Sequence, residues 1–347
     1  MLRKLFSQHE MIILLIVIGL SVAIGLINPA FFTVGNAFQL ARAATITGIF
    51  SMGVLIVLIS GGIDVSFTGI AIFAMYTTVT ILANNNYEGG MLLPFVMAAA
   101  MGLGLGLVNA FFIAVFRLPT LIVTLGTLSL FRGAMLFWVG SDYFNTIEMP
   151  PGMIAYARAQ LFPYTMPNGG TTSLHPTIFI LLVLAVLVWL VLRYTMLGRS
   201  IFAIGGDREA AERAGFNIMG TQVIIYAFVG LISGIGGMIV GALFRQANPF
   251  SIVGTELDVI AAAVLGGASL AGGRGSVIGT LLGVVLITIV NNSLVLMGVP
   301  SQWQRFVVGM LILLGTGLPL LRAKLAEWRR LRGGGAAEPA AAPVKAR

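Results

Sequence analysis

The chain has 347 residues, enough by length for about two soluble domains. Yet only 9% of its residues are charged and 58% are hydrophobic, against about 25% charged in an ordinary soluble protein. Such a chain cannot clothe a water-facing surface, so lipid is the solvent that fits and soluble enzyme classes are disfavoured.

The net charge of +8 does not point to nucleic acid. Seven of the 20 basic residues lie after Leu321, and most others sit at the ends of apolar runs, as in orientation-setting segments of membrane proteins. The chain has no cysteine, which excludes disulfides and thiol chemistry. His9 and His175 have no ligand-spaced partners, so no metal site is expected.

Taken in chain order, the first apolar run is Met11–Ile27, preceded by Arg3 and Lys4. A signal peptide would end in a small-residue cleavage site. Asn28-Pro29-Ala30-Phe31-Phe32 follows instead, so an uncleaved anchor is expected. Nine more runs follow: Leu40–Ser60, Phe67–Ala83, Met91–Phe116, Pro119–Val139, Pro176–Tyr194, Thr221–Phe244, Glu256–Ala271, Ser276–Leu296 and Trp303–Leu320. About 20 helical residues cross a hydrocarbon core, and most of the runs are long enough; Phe67–Ala83 and Glu256–Ala271 are short. The expectation is an all-α integral membrane protein with about ten transmembrane helices. Residues 1–332 would form one polytopic domain and 333–347 a disordered cytoplasmic tail. With both termini inside, 15 of 20 basic residues fall on the cytoplasmic side, and Arg42, Arg132, Arg158, Arg245 and Arg305 do not. The loop Gly140–His175 is outside, with a short amphipathic helix around Gly152–Leu161.

Many of the 44 glycines lie within the runs. Gly230, Gly234 and Gly237 recur at helical spacing, as expected of a face where helices approach closely. Gly102, Gly104 and Gly106 lack the strand and the third spacing of a nucleotide fingerprint.

Polar residues at membrane depth each need a reason. Gly61–Ser66 (GGIDVS) breaks the second and third runs, with Asp64 or Ser66 as a helix cap. It reads either as a tight turn or as a broken-helix site lining a pathway. Asp64 and Ser66 are the first candidates for a substrate path, and Asn109 and Thr124 the next. Arg132 is expected to snorkel to the interface, and Asn291-Asn292 to join helices. Thr255 and Asp258 resemble a capping box opening a short helix. The glycine-rich stretch Gly266–Ser276 has Gly273 where a P-loop needs lysine, and no strand precedes it. The chain should not hydrolyse ATP.

Between the sixth and seventh runs lies a charged segment. Asp207 can cap a helix, Glu209 and Arg213 are four apart in the favourable order, and Gly215 is a natural stop. A two-turn helix follows, read either as a connecting loop or as a docking helix with small residues Ala210, Ala211 and Ala214 on it.

The segments Gly61–Ser66, Thr124–Gly133 (TLGTLSLFRG), Gly198–Gly215 and Glu256–Gly279 together resemble the membrane permeases of bacterial ATP-binding-cassette importers for monosaccharides, of the ribose, xylose, rhamnose and autoinducer-2 type. The resemblance spans residues 40–320. It implies a type II importer fold of two inverted halves in the bacterial inner membrane, with spans 2–5 and 7–10 of opposite orientation. It implies a second permease copy or paralogue, a cytoplasmic ATPase hydrolysing ATP with Mg, and a periplasmic sugar-binding protein. Asp207, Arg208, Glu209, Ala210, Ala211, Glu212, Arg213, Ala214 and Gly215 correspond to the family's coupling helix. The permease itself would bind no cofactor or metal, and would be a transport subunit without an ATPase site. An ion-coupled secondary sugar transporter is the alternative; it would need a titrating acid at depth, such as Asp64 or Asp258.

Overall fold

A computed structural model describes residues 8–166, 169–300, 303, 306–310 and 313. The elements run in this order: α1 (Gln8–Ile27), α2 (Val34–Ile59), α3 (Phe67–Asn84), α4 (Leu92–Ala110) and α5 (Thr120–Trp138). After these come α6 (Pro151–Ala157), the strands β1 (Leu161–Thr165) and β2 (Thr171–Leu174), α7 (Thr177–Tyr194), α8 (Met196–Gly206), α9 (Arg208–Arg213), α10 (Ile218–Phe244), α11 (Glu256–Leu265) and α12 (Val277–Leu296). Among the described residues, eight helices are long and apolar enough to cross a membrane. The membrane part is all-α, and the only sheet among the described residues is the β1–β2 hairpin, with Leu161 opposite Leu174 and Thr165 opposite Thr171. Most of the tenth expected run, the tail 333–347, Arg3, Lys4 and Arg305 lie outside the described residues.

The core forms around α10, which packs on α4, α3 and α2. Its glycines explain why it can. A Cβ on Gly230 would sit 2.2 Å from the Gly102 carbonyl oxygen, one on Gly234 2.0 Å from that of Ala98, and one on Gly237 2.1 Å from that of Ala71. Backbone touches backbone along this seam, as the helical spacing of the three glycines predicts. By contrast α1, α5 and α7 turn Leu15, Ile122, Phe137 and Val183 outward, as lipid-facing helices do.

The stretch Glu256–Ala271, expected as a short span, is helical only over its first ten residues. Ten residues rise about 15 Å, half a hydrocarbon core. Gly267 (φ +97°) then begins an irregular loop that reaches to Ser276. The expected Thr255/Asp258 capping box does not form in the way the sequence suggests. Thr255 Oγ1 donates back to the Ile252 carbonyl, 2.8 Å away, and makes no cap. Ahead of α3 the Asp64 carboxylate accepts from the Ser66 amide, one of the two caps expected, while the Ser66 hydroxyl makes no cap. The short helix expected between the fifth and sixth runs is present and lies at Pro151–Ala157, before the hairpin.

Candidate functional site

After α2, Gly61 takes φ +83°, a conformation that glycine adopts without strain. The chain then crosses Gly61–Ser66 without regular hydrogen bonding before α3 begins. Asp64 turns on itself: its Oδ1 accepts from the Ser66 amide at 2.7 Å and from the Ser66 hydroxyl at 2.6 Å. The Asn109 side-chain amide on α4 donates to Ser66 Oγ at 2.7 Å. The Thr124 hydroxyl on α5 donates to the Ile63 carbonyl at 3.2 Å. The four residues expected along a path therefore meet in one polar cluster that holds α3, α4 and α5 together. They are sealed: Asp64 is 1% exposed and the other three 0%. They are the locked joint of a broken helix in this conformation, not an open lining. Beside them the Tyr226 hydroxyl donates to Thr120 Oγ1 at 3.1 Å, which ties α10 to the start of α5.

Asn109 lies two residues before a single π-helical turn, Phe111–Val115. Such turns are rare and recur at functional places. Arg117 follows at φ +55°, and its guanidinium lies 3.7 Å from Glu212 on α9.

A second joint mirrors the first. The Thr68 hydroxyl, in the first turn of α3, donates to Glu256 Oε1 at 2.5 Å, in the first turn of α11. Two helices, each following an irregular segment, thus begin against one another. Their partnership is what an inverted pair of halves would place at its centre.

The charged segment between α7 and α10 is more structured than the sequence suggests. Before α9 stands α8, opened by Thr195, whose Oγ1 accepts from the Gly198 amide at 3.1 Å. Ile201, Ile204 and Gly205 form its buried face, at the three- and four-residue spacing of an amphipathic helix. In α9 the Asp207 carboxylate accepts from the Ala210 amide at 2.9 Å, as the sequence predicts. Six residues are too short to be stable alone. Ala211 anchors them by packing with Ile204 and Ile218, while Glu209, Ala210, Glu212 and Arg213 remain exposed. Glu209 and Arg213 pair at 3.6 Å, and Gly215 ends the turn at φ +84°.

The α8–α9 corner abuts both the helix break and the glycine-rich loop. The Gly273 amide donates to the Ile59 carbonyl at 2.9 Å. A Cβ on Gly205 would fall 1.8 Å from that same oxygen, and one on Gly272 2.4 Å from the Gly205 carbonyl. Three glycine-bearing turns share one point, with Gly205 three residues before α9 and Gly61 three before Asp64. The phosphate-loop look of Gly266–Ser276 is thus a packing requirement. Gly205, Thr68, Glu256 and Tyr226 escaped the sequence reading because their partners are distant in the chain; only the Ile201/Ile204 spacing was a usable signal for α8.

The comparisons identify what this geometry serves. Residues 36–315 match the family described as "Branched-chain amino acid transport system / permease component". The chain belongs to this permease family. It is 32% identical over 310 residues to the ribose import permease of Escherichia coli K12, covering 89% of this chain and 92% of that protein. It is 31% identical over 320 residues to the galactose/methyl galactoside import permease of Haemophilus influenzae, covering 89% and 93%. The autoinducer 2 import system permease of Escherichia coli K12 DH10B is 29% identical over 315 residues, covering 90% and 87%. No solved structure matches the chain. As a family member it is a multi-pass membrane permease and a transport subunit.

Proposed function

We propose that this permease forms the membrane path for a monosaccharide or similar polyol-like solute in an ATP-driven importer. The observation that carries the reading is the α8–α9 corner. An exposed charged helix stands at the end of the molecule and rests directly, through Gly205, on the break that leads to Asp64. A cytoplasmic ATPase gripping α9 would move that corner. Ile59 and Gly273 would follow because backbone atoms, not side chains, are in contact there. Arg117 and Glu212 would carry the same motion to the α4–α5 turn. The sealed cluster of Asp64, Ser66, Asn109 and Thr124 would then open or shift with α3. On this reading the face bearing α9 is cytoplasmic, the hairpin face is outside, and the membrane is the bacterial inner membrane.

The partners follow from the same reading: an ATPase that hydrolyses ATP with Mg, a second permease copy or paralogue, and a binding protein that delivers the sugar. The relatives named for ribose, galactose and autoinducer 2 support a small hydroxylated cargo. The test is a pull-down of the ATPase encoded beside this chain, with Glu209→Lys/Arg213→Glu. The double reversal leaves an exposed intrahelical pair possible, worth about 0.3–0.5 kcal/mol, so folding persists. ATPase capture should fall at least tenfold. Unchanged capture by the folded variant would contradict docking at α9.

A further inference from the structure

On the face opposite α9, a cavity of about 270 Å³ opens between the start of α2, the end of α6 and the hairpin. Arg42, Arg158 and Arg245 all line it, together with Gln160, Thr172 and Ser173. No acidic side chain lines it. Among the described residues, none of the three guanidinium groups is paired with a carboxylate. Five arginines of this chain fall outside the cytoplasmic set, and three of the five gather here. All three side chains are exposed at the mouth of the cavity, where water screens their mutual repulsion; an anion seated between them would turn that residual repulsion into attraction.

Arg245 adds an independent sign. It ends α10 in the left-handed conformation, φ 52° and ψ 40°. Glycine is the usual residue there, because a Cβ is strained in that region. An arginine at such a position points to a use for its side chain. Guanidinium forks suit the paired oxygens of carboxylates and phosphates. The hydroxyls and the amide beside them suit the hydroxyl groups of a sugar, and the volume is that of a small ligand.

We propose that this pocket binds an anionic, hydroxylated solute of monosaccharide size, its carboxylate or phosphate held by Arg42, Arg158 and Arg245. This rests on the transport reading only for its biological use; the binding itself can be measured on the permease alone. The probe is D-glucuronate, titrated calorimetrically into the full chain in detergent, against D-glucose and inorganic phosphate. Saturable glucuronate binding is expected, at least tenfold tighter than glucose and tighter than phosphate, and weakened several-fold at high salt. Arg158→Gln and Arg245→Gln should each weaken it at least tenfold while the ligand-free unfolding midpoint stays within 2 °C or so of the parent. Equal binding of glucose and glucuronate would overturn the proposal. So would phosphate binding as tightly as glucuronate, or Arg variants that bind normally. An anionic phospholipid retained in native mass spectra and not displaced by glucuronate would also overturn it, by assigning the arginines to lipid. If the transport reading alone is wrong, ATP-driven uptake is absent but glucuronate binding survives.

Discussion

The glycine seam between α4 and α10 permits a matched test on one helix. Gly102 and Gly104 lie two residues apart on α4. A Cβ on Gly102 would come 2.2 Å from the Gly230 carbonyl oxygen and 2.9 Å from the Gly234 amide, both backbone atoms that cannot rotate away. A Cβ on Gly104 would meet nothing within 4 Å. Gly102→Ala must therefore push the helices apart by roughly 1 Å, which forfeits a quarter to a half of each dispersion contact nearby. Overpacking of this kind costs about 1–3 kcal/mol, against about 1 kcal/mol gained from helix propensity. A 2.2 Å approach to a backbone oxygen that cannot yield puts the cost in the upper part of that range, about 2–3 kcal/mol, so a net loss of about 1–2 kcal/mol is expected for Gly102→Ala. Gly104→Ala should be neutral or slightly stabilising. The assay is the apparent unfolding midpoint of the purified chain in one detergent at one scan rate. The first variant should fall by roughly 2–8 °C and the second should not fall. Equal midpoints for the two variants would refute the seam.

Other outcomes follow from the two joints and from the loop that carries the hairpin. Asp64 acts here as an acceptor for two hydrogen bonds, and Asn keeps an oxygen for both. Asp64→Asn should therefore retain uptake, whereas Asp64→Ala should lose about 2–4 kcal/mol, the cost of stranded buried donors; loss of uptake by a stably inserted Asp64→Asn protein would instead favour an ion-coupled carrier. Thr68→Val should destabilise by about 1.5–3 kcal/mol, the usual range for a hydrogen bond to a charged group, and an unchanged unfolding midpoint would show that the α3–α11 joint is not held there. His175 is buried outside the spans, with Nε2 donating to the Tyr156 carbonyl at 2.8 Å and Nδ1 accepting from the Thr177 amide at 3.2 Å. Burial, and then the charge of Arg42, push its pKa below the usual histidine value. The unfolded chain thus takes up the proton first, so stability present above about pH 6.5 declines as pH falls below it. Unfolding midpoints at pH 7.5 and 5.5 should differ for the parent and differ less for His175→Gln.

Much of the molecule was readable before any fold was known, and for physical reasons. Period and spacing are local, so the Gly230/Gly234/Gly237 face and the Asp207-capped α9 stood out. Hydropathy is blinder. Glu256–Ala271 looked like a span because the turn that follows the ten-residue α11 is built from small and apolar residues, Gly266, Gly267, Ala268, Leu270 and Ala271, which hydropathy reads as a continuation of the helix. α8 was hidden inside a segment read as connection, since its apolar face is only Ile201, Ile204 and their neighbours. The polar cluster was half legible. Asp64, Ser66, Asn109 and Thr124 were each conspicuous at depth, but their meeting depends on contacts 43 and 61 residues apart in sequence. That they are buried together against the break follows only from packing. Thr255 shows the opposite failure: a capping pattern was present, yet its hydroxyl found a nearer acceptor in Ile252.

The central claim is that an ATPase drives this chain as a sugar path. Its most direct test is uptake of labelled sugar into proteoliposomes holding the permease, its ATPase and its binding protein. Uptake should require internal ATP and all three components, and should persist when proton and sodium gradients are collapsed by ionophores. Uptake driven by an ion gradient without ATP would contradict the account.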